Sequence, residues 1–420
     1  MNKSVAIWVA AALTSAGLGA ACSAGSNTGA GGSDTEGTGA SGGGSSQSTV
    51  TTSSQGGSAS SFGNTTGTGM QAGCDAGPDE DKDQDGFSIN QNDCNDCDPN
   101  VNPNAIEVVV EDDGMGGGGG AMEPADEDCD GEIDNVAGPC DAGIPLNTTD
   151  PMDGARTIEL CKTATPQSDW GVVSAQWVRA NGVAAAVTDQ WGVLDAFGAN
   201  VPARAGENLF VMSSGKARLP ANGGCGSNIC TGTGLGVAPP GFPQDNPSCP
   251  PSTEINDDVG LDLTIKAPSN ATGYRFDFNF YSFEFPEWVC DSYNDQFIAL
   301  VNPAPMGSIN GNISFDSNNN PVSVNIAFFD VCNYDSFYPQ FPCNLGPAEL
   351  AGTGFDVWDD AGATSWLQTT APIGPGETFN VRFAIWDTGD DAWDSTVLID
   401  NFQWIANGGT VVVGTNPVPE

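Results

Sequence analysis

The chain has 420 residues, of which 54 are acidic, 11 are basic and none is histidine, so its formal net charge is -43. This excess of acid argues against nucleic acid and anionic membrane surfaces as partners, because both are bound by clusters of Lys and Arg. The absence of histidine removes the commonest general base and the usual zinc or copper ligand, whereas an acidic chain suits hard cations such as calcium.

Residues 1–21 have the features of a signal peptide, with Lys3 before an apolar run that ends near Leu18 and is too short to span a bilayer. The sequence LGAAC that ends at Cys22 resembles a bacterial lipobox, although Leu18 lies four residues before the cysteine rather than three. Acylation of Cys22 would leave twelve of the thirteen cysteines for disulfides. We therefore predict a lipoprotein that is held to the outer membrane through Cys22 and displayed at the cell surface. A chain cleaved by ordinary signal peptidase and simply secreted is the alternative.

Residues 22–73 consist almost wholly of Gly, Ser, Thr and Ala and show no periodic apolar face. Such a segment cannot bury a core, so we predict a disordered tether. Its root-mean-square reach would be roughly 40 Å, enough to hold a folded head clear of a membrane.

Residues 74–140 form an acidic, cysteine-rich module with two short repeats, DKDQDG from Asp81 and DEDCDG from Asp126. Carboxylates at positions one, three and five with Gly at position six are the opening of a calcium loop, although the Glu at position twelve of an EF-hand is missing. The alternative is solvated charge in a linker. We predict calcium as the cofactor, with the following ligands: Asp81, Asp83, Asp85, Asp93, Asp96, Asp98, Asp126, Asp128, Asp130 and Asp134.

The order of the blocks DxDxDGF, DC, DCDPxxxPxAxE and DEDCDGxxD resembles a metal-binding module of myxobacterial surface proteins, which is sometimes labelled copper-binding. Copper prefers nitrogen or sulfur ligands, whereas this chain lacks histidine and its cysteines are expected in disulfides, so calcium fits better. Cys94 and Cys97 form a CxxC, for which we expect disulfides rather than zinc or redox chemistry.

Residues 141–408 are predicted to form a mainly β head, a jelly-roll-like β-sandwich, followed by a tail over 409–420. Phe276, Phe278 and Phe280 alternate with polar residues, which places three rings on one face of a strand. The predicted strands are 170–178, 209–213, 261–266, 274–280, 296–301, 322–329, 379–386 and 396–405, and the predicted helix is 183–197. We expect Cys225 with Cys230, and Cys332 with Cys343, to close small loops.

Two loops of the head, after the strands 274–280 and 379–386, are rich in acidic and amide side chains. Oxygen ligands on adjacent loops are what calcium needs, although Asp and Asn also cap turns. A second metal or ligand site is therefore a hypothesis for these residues: Glu284, Glu287, Asp291, Asn294, Asp295, Asp387, Asp390, Asp394 and Asp400. A glycosidase pair of Glu284 and Glu287 is disfavoured, because side chains three residues apart in an extended segment face opposite sides.

Four tryptophans lie beside these acidic loops: Trp288, Trp358, Trp386 and Trp393. Their rings would either stack on sugars or pack in the core.

The blocks DGARTIELC, WGVVSAQW, FDFNFYSFEFPEWVCDSYNDQF and WDTGDDAWDSTVLIDNF resemble the bacterial surface domain called choice-of-anchor L, from about residue 153 to 404. The resemblance implies an extracellular, mostly β domain that is attached to cell surfaces by varied anchors and has no known catalytic activity. We therefore expect a non-enzymatic, calcium-stabilised protein for adhesion or matrix assembly, with a polysaccharide or surface protein as ligand. The alternatives are a secreted carbohydrate-active enzyme and a coat protein that self-assembles with calcium.

Overall fold

The computed structural model describes residues 75–109, 124–165, 169–186, 189–224, 230, 234–252, 254–333, 341, 343–357, 361–406 and 408–418. The predicted signal peptide, Cys22 and the tether lie outside the described residues. All described residues belong to the unit Thr65–Glu420. Within this part of the chain, no helix has the length and apolarity needed to cross a bilayer.

The described residues form mainly β structure in two antiparallel sheets. The strands are β1 (Gly171–Val178), β2 (Trp191–Leu194), β3 (Leu209–Ser213), β4 (Ile255–Lys266), β5 (Gly273–Ser282), β6 (Gln296–Asn302), β7 (Val331–Cys332), β8 (Gly362–Pro372), β9 (Thr378–Thr388), β10 (Ser395–Ile405) and β11 (Gly414–Pro417). A short helix, α1 (Pro151–Arg156), precedes them, and the remaining helices are 3-10 turns at Ile89–Gln91, Pro220–Asn222, Ala348–Leu350 and Phe355–Val357.

The four-stranded sheet has the order β1-β4-β9-β6, and the seven-stranded sheet has the order β11-β8-β5-β10-β3-β2 with β7 paired to β8. The core lies between them. Phe276 of β5 packs edge to face on Phe383 of β9 with ring centroids 5.0 Å apart, and Phe278 lies 5.3 Å from Phe297 of β6. The period-two alternation of β5 thus places its rings against the other sheet, which confirms the predicted β-sandwich.

The polar face of β5 is buried too. Asp277 accepts hydrogen bonds from Arg204 Nε at 3.1 Å and from Gln368 Nε2 at 2.9 Å. Tyr281 packs against Phe197 and Phe355, which belong to a second apolar cluster over the outer face of the seven-stranded sheet. Connecting segments therefore cover a face that alternation alone would leave to solvent.

Seven of the eight predicted strands are confirmed, with shifted ends. The segment 322–329 is not a strand, because Val322 makes only an isolated bridge to Phe297. Val322, Val324 and Ile326 are nevertheless buried in the core. Their alternation therefore reflects the burial of one face of the segment, without the hydrogen-bonded pairing of a β-strand. The strands β8 and β11 were not predicted, since their Thr, Gly and Asn content gives a weak apolar signal.

The predicted helix over 183–197 is wrong. Residues 191–194 form β2, whose four residues are buried and pair with β3. Tertiary pairing overrides local helical preference here. The helix that does form, α1, begins after Asp150, whose carboxylate accepts a hydrogen bond from Met152 N, and it has Pro151 in its first turn.

The described disulfides join Cys94 to Cys129, Cys140 to Cys161, Cys249 to Cys290 and Cys332 to Cys343. The predicted pairing of Cys332 with Cys343 is confirmed. Cys97 and Cys230 are also disulfide-bonded, which confirms that neither cysteine of the CxxC is a free thiol. Cys225 lies outside the described residues, so its predicted pairing stays a prediction.

The acidic module packs on the head at the loop between β4 and β5. The side chain of Asn270 donates to Ile106 O at 2.8 Å and accepts from Ile106 N at 3.0 Å, as a neighbouring strand would. Ser269 N donates to Asn104 O at 2.9 Å, and Ser269 Oγ donates to Asn102 Oδ1 at 2.7 Å. The module is thus tied to the head by backbone and side-chain hydrogen bonds.

Candidate metal centres

The repeat that begins at Asp81 folds into a tight loop. Gln84 and Gly86 both have positive φ angles, 70° and 100°, and their N–H groups donate to the Asp81 carboxylate at 2.8 and 3.1 Å. L side chains rarely adopt the conformation of Gly86, which explains the glycine at position six. The turn brings carboxylate oxygens of Asp81, Asp83 and Asp85 within 4.8 Å of one another.

Asp93 and Asp96 complete this first group, which we call site 1. They are 4% and 2% exposed, and their oxygens come within 4.8 Å of Asp83. One Oδ2 atom on each of Asp83, Asp85, Asp93 and Asp96 is buried without a hydrogen-bond partner among the described residues. Burial is the main cause that raises the pKa of Asp93 to about 6, and nearby carboxylates add to it. Oxygens left unpaired in this way fit a hard cation.

The second repeat has the same backbone pattern. Cys129 and Gly131 have φ angles of 58° and 97°, and Gly131 N donates to the Asp126 carboxylate at 3.0 Å, as Gly86 N does to Asp81. Its carboxylate group, which we call site 2, consists of Glu107, Asp126, Glu127, Asp128 and Asp134.

Glu107 holds site 2 together. Its two carboxylate oxygens accept hydrogen bonds from Asp128 N at 3.3 Å and from Asp134 N at 2.8 Å. Burial is the main cause that raises the pKa of Glu107 to about 7, with the charges of Glu127 and Asp128 adding to it. Oδ1 of Asp134 is buried without a partner among the described residues.

Eight of the ten predicted ligands therefore converge in sites 1 and 2. Asp98 and Asp130 do not: Asp98 Oδ1 accepts from Asn100 N at 3.1 Å, and the two oxygens of Asp130 accept from Glu132 N and Asn135 Nδ2. The sequence prediction missed Glu107 and Glu127. Glu107 lies far from the second repeat along the chain, and its only signal was its place at the end of the DCDPxxxPxAxE block.

The disulfide Cys94–Cys129 links the two sites. Cys94 directly follows Asp93 of site 1, and Cys129 directly follows Asp128 of site 2. The bridge therefore fixes ligands of both sites at once.

In the head, the two acidic loops meet. Asp295 Oδ1 accepts from Thr388 N at 2.9 Å, and Asp295 Oδ2 accepts from Ser395 Oγ at 2.7 Å. Four carboxylates from these loops and the strands that flank them are at most 2% exposed, and we call them the end cluster: Glu284, Asp295, Asp387 and Asp394. The pKa of each is raised, mainly by burial, and that of Asp394 lies at about 8. The buried carboxylate of Asp257, in β4, lies next to Asp394.

The other predicted members of this site lie around the end cluster or away from it. Glu287, Asp291 and Asp390 are partly exposed, and buried Asn294 accepts a hydrogen bond from Asn325 at 2.8 Å. Asp400 is remote from these loops: it lies in the middle of β10, paired with Asp277 of β5, and accepts from Arg204 N at 2.6 Å.

Asp400 instead faces Glu159. The pKa of Glu159 is raised to about 9, first by burial and second by the charge of Asp400. Burial raises the pKa of Asp400 to about 6. Glu159 Oε2 accepts from Asn401 N at 2.9 Å. The two acids lie side by side on the outer face of the seven-stranded sheet, where Asp400 is buried and Glu159 is partly exposed.

Glu159→Gln is expected to flatten the dependence of stability on pH. The pKa of Glu159 rises from 4.5 to about 9 on folding. Below pH 4.5 the side chain is protonated in both the folded and the unfolded chain, so it does not lower the free energy of unfolding there. As pH rises toward about 9 the unfolded chain loses the proton first, and the free energy of unfolding falls. Gln cannot ionise, so the free energy of unfolding of the variant should be about 1 kcal/mol or more above that of the wild type at alkaline pH. In acid the two free energies should be equal.

Urea unfolding in chelator across this pH range checks the prediction, with the exposed Glu207→Gln as the matched control. Parallel pH curves for wild type and Glu159→Gln would contradict it.

The end cluster does not suit catalysis on an external substrate. Glu284 is 1% exposed, so it does not reach a glycosidic bond at the surface. Trp386 is completely buried, which excludes it from sugar stacking in this fold. Trp358 lies outside the described residues. Trp288, Tyr293 and Trp393 are partly exposed and form what we call the aromatic cluster, with ring centroids 5.1 Å and 6.2 Å from that of Trp288.

A comparison with family models matches residues 160–403 to the choice-of-anchor L domain. Comparisons with curated proteins and with solved structures found no match. The domain is a surface-anchoring family rather than an enzyme family, and it agrees with the disulfides in indicating an extracellular or surface protein. The match covers more than half of the sequence, and the chain therefore belongs to the choice-of-anchor L domain family.

Proposed function

We propose that this chain is a non-enzymatic lipoprotein of the outer cell surface, in which a calcium-stabilised module supports a β-sandwich head that acts in adhesion. The observation that carries the proposal is the pair of loops with one backbone pattern, of which the first lies in a site with four buried carboxylate oxygens that have no hydrogen-bond partner among the described residues.

Calcium is the cation that suits these donors best. Sites 1 and 2 offer only carboxylates among the described side chains that converge there, and the chain contains no histidine. Hard oxygen donors in flexible loops favour calcium over zinc or copper. A divalent cation would also neutralise carboxylates that repel one another, so its binding would contribute to folding stability.

The segment 102–107 would transmit calcium binding to the head. Asn102 N donates to Glu127 O at 2.9 Å, and the Asn102 side chain accepts from Ser269 of the head. Asp85 of site 1 also interacts with the Asn102 side chain, and Glu107 is a member of site 2. Calcium binding that orders both loops would therefore fix the orientation of the module on the head.

For the ligand of the head, we propose a polysaccharide, with a surface protein as the other outcome of the test. The aromatic cluster supports a sugar, because partly exposed rings beside polar loops stack on pyranose faces. It lies in the loops around the end cluster, as Trp288 follows Glu284 and Trp393 precedes Asp394.

The proposal predicts that cells displaying the wild type adhere to polysaccharide-coated surfaces in calcium and detach in chelator. Cells that display the double variant Asp83→Asn, Asp128→Asn should adhere about tenfold less, because the head would lose the orientation that the two filled sites give it, and tenfold corresponds to about 1.4 kcal/mol of binding free energy. The Asp98→Asn variant is the matched control, because Asp98 lies outside both sites.

The anchor is tested by Cys22→Ser, which should release the protein from the surface and remove lipid labelling. A wild-type protein that carries no lipid and stays soluble in the periplasm would contradict the surface part of the proposal. Adhesion to protein-coated but not polysaccharide-coated surfaces would replace the sugar by a protein ligand.

A further inference from the structure

The end cluster lies where the ends of the two sheets meet. Asp387 belongs to β9 and Asp295 directly precedes β6, both in the four-stranded sheet. Glu284 follows β5 and Asp394 directly precedes β10, both in the seven-stranded sheet. The four carboxylates therefore come from both layers of the sandwich.

Hydrogen bonds already connect the layers at Asp295. Its Oδ2 accepts from Ser395 Oγ of β10 at 2.7 Å, and its N–H donates to Glu284 Oε2 at 3.2 Å. These bonds hold Asp295 in place without neutralising it. Among the described residues, Glu284, Asp295 and Asp387 form no ion pair with Lys or Arg.

Asp387 is the member that these contacts leave unexplained. It is completely buried, and neither of its carboxylate oxygens has a hydrogen-bond partner of good geometry in the described part of the chain. Its nearest charged groups are the carboxylates of Asp295 and Asp394, and the Ser214 side chain also faces it. Burial of an ionised carboxylate in this position lowers the free energy of unfolding by several kcal/mol unless a proton or a cation compensates its charge.

We propose that the end cluster binds a divalent cation of the calcium class, with Asp387 as the central ligand and Asp295 and Asp394 as ligands from its two sides. A shared proton between Asp295 and Asp387 would satisfy one oxygen of Asp387 and leave the other to the Ser214 hydroxyl, whose single proton is donated to Ser395 O at 3.3 Å. A cation satisfies both oxygens. All candidate donors here are carboxylate or hydroxyl oxygens, which is the donor set of calcium.

Gly215 supports this assignment sterically. A Cβ atom at residue 215 would clash with the Asp394 carboxylate, so the glycine leaves the space in which that carboxylate lies.

A cation at this position would pin the two sheets together and order the loops that carry Trp288 and Trp393. The inference shares its ion class with the proposed function, but it rests on different residues from sites 1 and 2. The two can therefore fail separately.

The test uses terbium, a luminescent substitute for calcium, bound to the full mature chain with its disulfides intact. The module, residues 74–140, contains no Trp or Tyr, whereas Trp386 directly precedes Asp387 and the aromatic cluster lies nearby. In a background of Asp83→Asn and Asp128→Asn, we expect terbium emission on tryptophan excitation and its loss on addition of calcium.

Adding Asp387→Asn to this background should abolish the emission and lower the bound calcium by about one ion per chain. Asp391→Asn is the matched control, because Asp391 is an exposed aspartate on the same loop, and it should change neither quantity.

A folded Asp387→Asn variant with undiminished emission and calcium content would overturn the proposal and assign shared protons to the cluster. If that variant does not fold, the test uses the background chain alone. Absence of tryptophan-sensitised terbium emission from it would overturn the proposal, and emission that is lost when calcium is added would support it. If the background chain binds as much calcium as the wild type and Asp387→Asn removes that calcium, sites 1 and 2 fail while the end cluster stands.

Discussion

Removal of calcium is expected to lower the free energy of unfolding of the disulfide-intact chain by about 5 kcal/mol. Each site contributes about 2.7 kcal/mol when free calcium is 100 times its dissociation constant, and sites 1 and 2 contribute together. In chelator, the buried carboxylate oxygens of Asp83, Asp85, Asp93 and Asp96 would lack hydrogen-bond partners among the described residues. The corresponding fall in melting temperature should be about 7 °C, because the unfolding entropy of a chain of this size is roughly 0.7 kcal/mol/K.

Calorimetry in calcium and in chelator, with metal analysis of the same samples, measures this effect. The double variant Asp83→Asn, Asp128→Asn should lose most of the calcium-dependent shift, and Asp98→Asn should keep it. Any shift that remains in the double variant is assigned to the end cluster. Equal melting temperatures in calcium and chelator, with no bound metal, would mean that the aspartate loops are solvated charge.

Loss of the disulfide Cys94–Cys129 is expected to destabilise the chain by about 4 kcal/mol and to weaken calcium binding at both sites. The first effect follows from the loop that the bridge closes, which spans 35 residues. The second follows from its position, because Cys94 adjoins Asp93 of site 1 and Cys129 adjoins Asp128 of site 2. Without the bridge, calcium binding has to order both loops itself.

The double variant Cys94→Ser, Cys129→Ser tests this by urea unfolding and calcium titration, and we expect its calcium affinity to fall about tenfold. Cys332→Ser with Cys343→Ser is the control in the head. That bridge closes a loop of 11 residues, so its loss should cost about 3 kcal/mol and leave calcium affinity unchanged. Equal calcium affinity in both double variants would show that Cys94–Cys129 stabilises the module without shaping the sites.

The sequence predicted the grouping of the site 1 carboxylates because these residues are close together in the chain. Asp81, Asp83 and Asp85 alternate within one loop, and the glycine at position six signals the turn. The grouping in site 2 was predicted only in part, since Glu107 lies far from the second repeat along the chain, and no spacing rule predicts such a contact. Asp400 shows the opposite error: it lies near the acidic loop in the sequence, yet its strand carries it to Glu159.

By itself, the sequence determined the fold class and the chemistry of the loops, because alternation of apolar residues fixes which face of a strand is buried and Asp-rich repeats fix a local turn. Only the tertiary structure decided which carboxylates are neighbours. The end cluster exists because β5, β6, β9 and β10 bring their ends together from two sheets, and segments distant in the chain meet there. The strand β2 has the same origin, since pairing with β3 satisfies its backbone groups and overrides a local helical pattern.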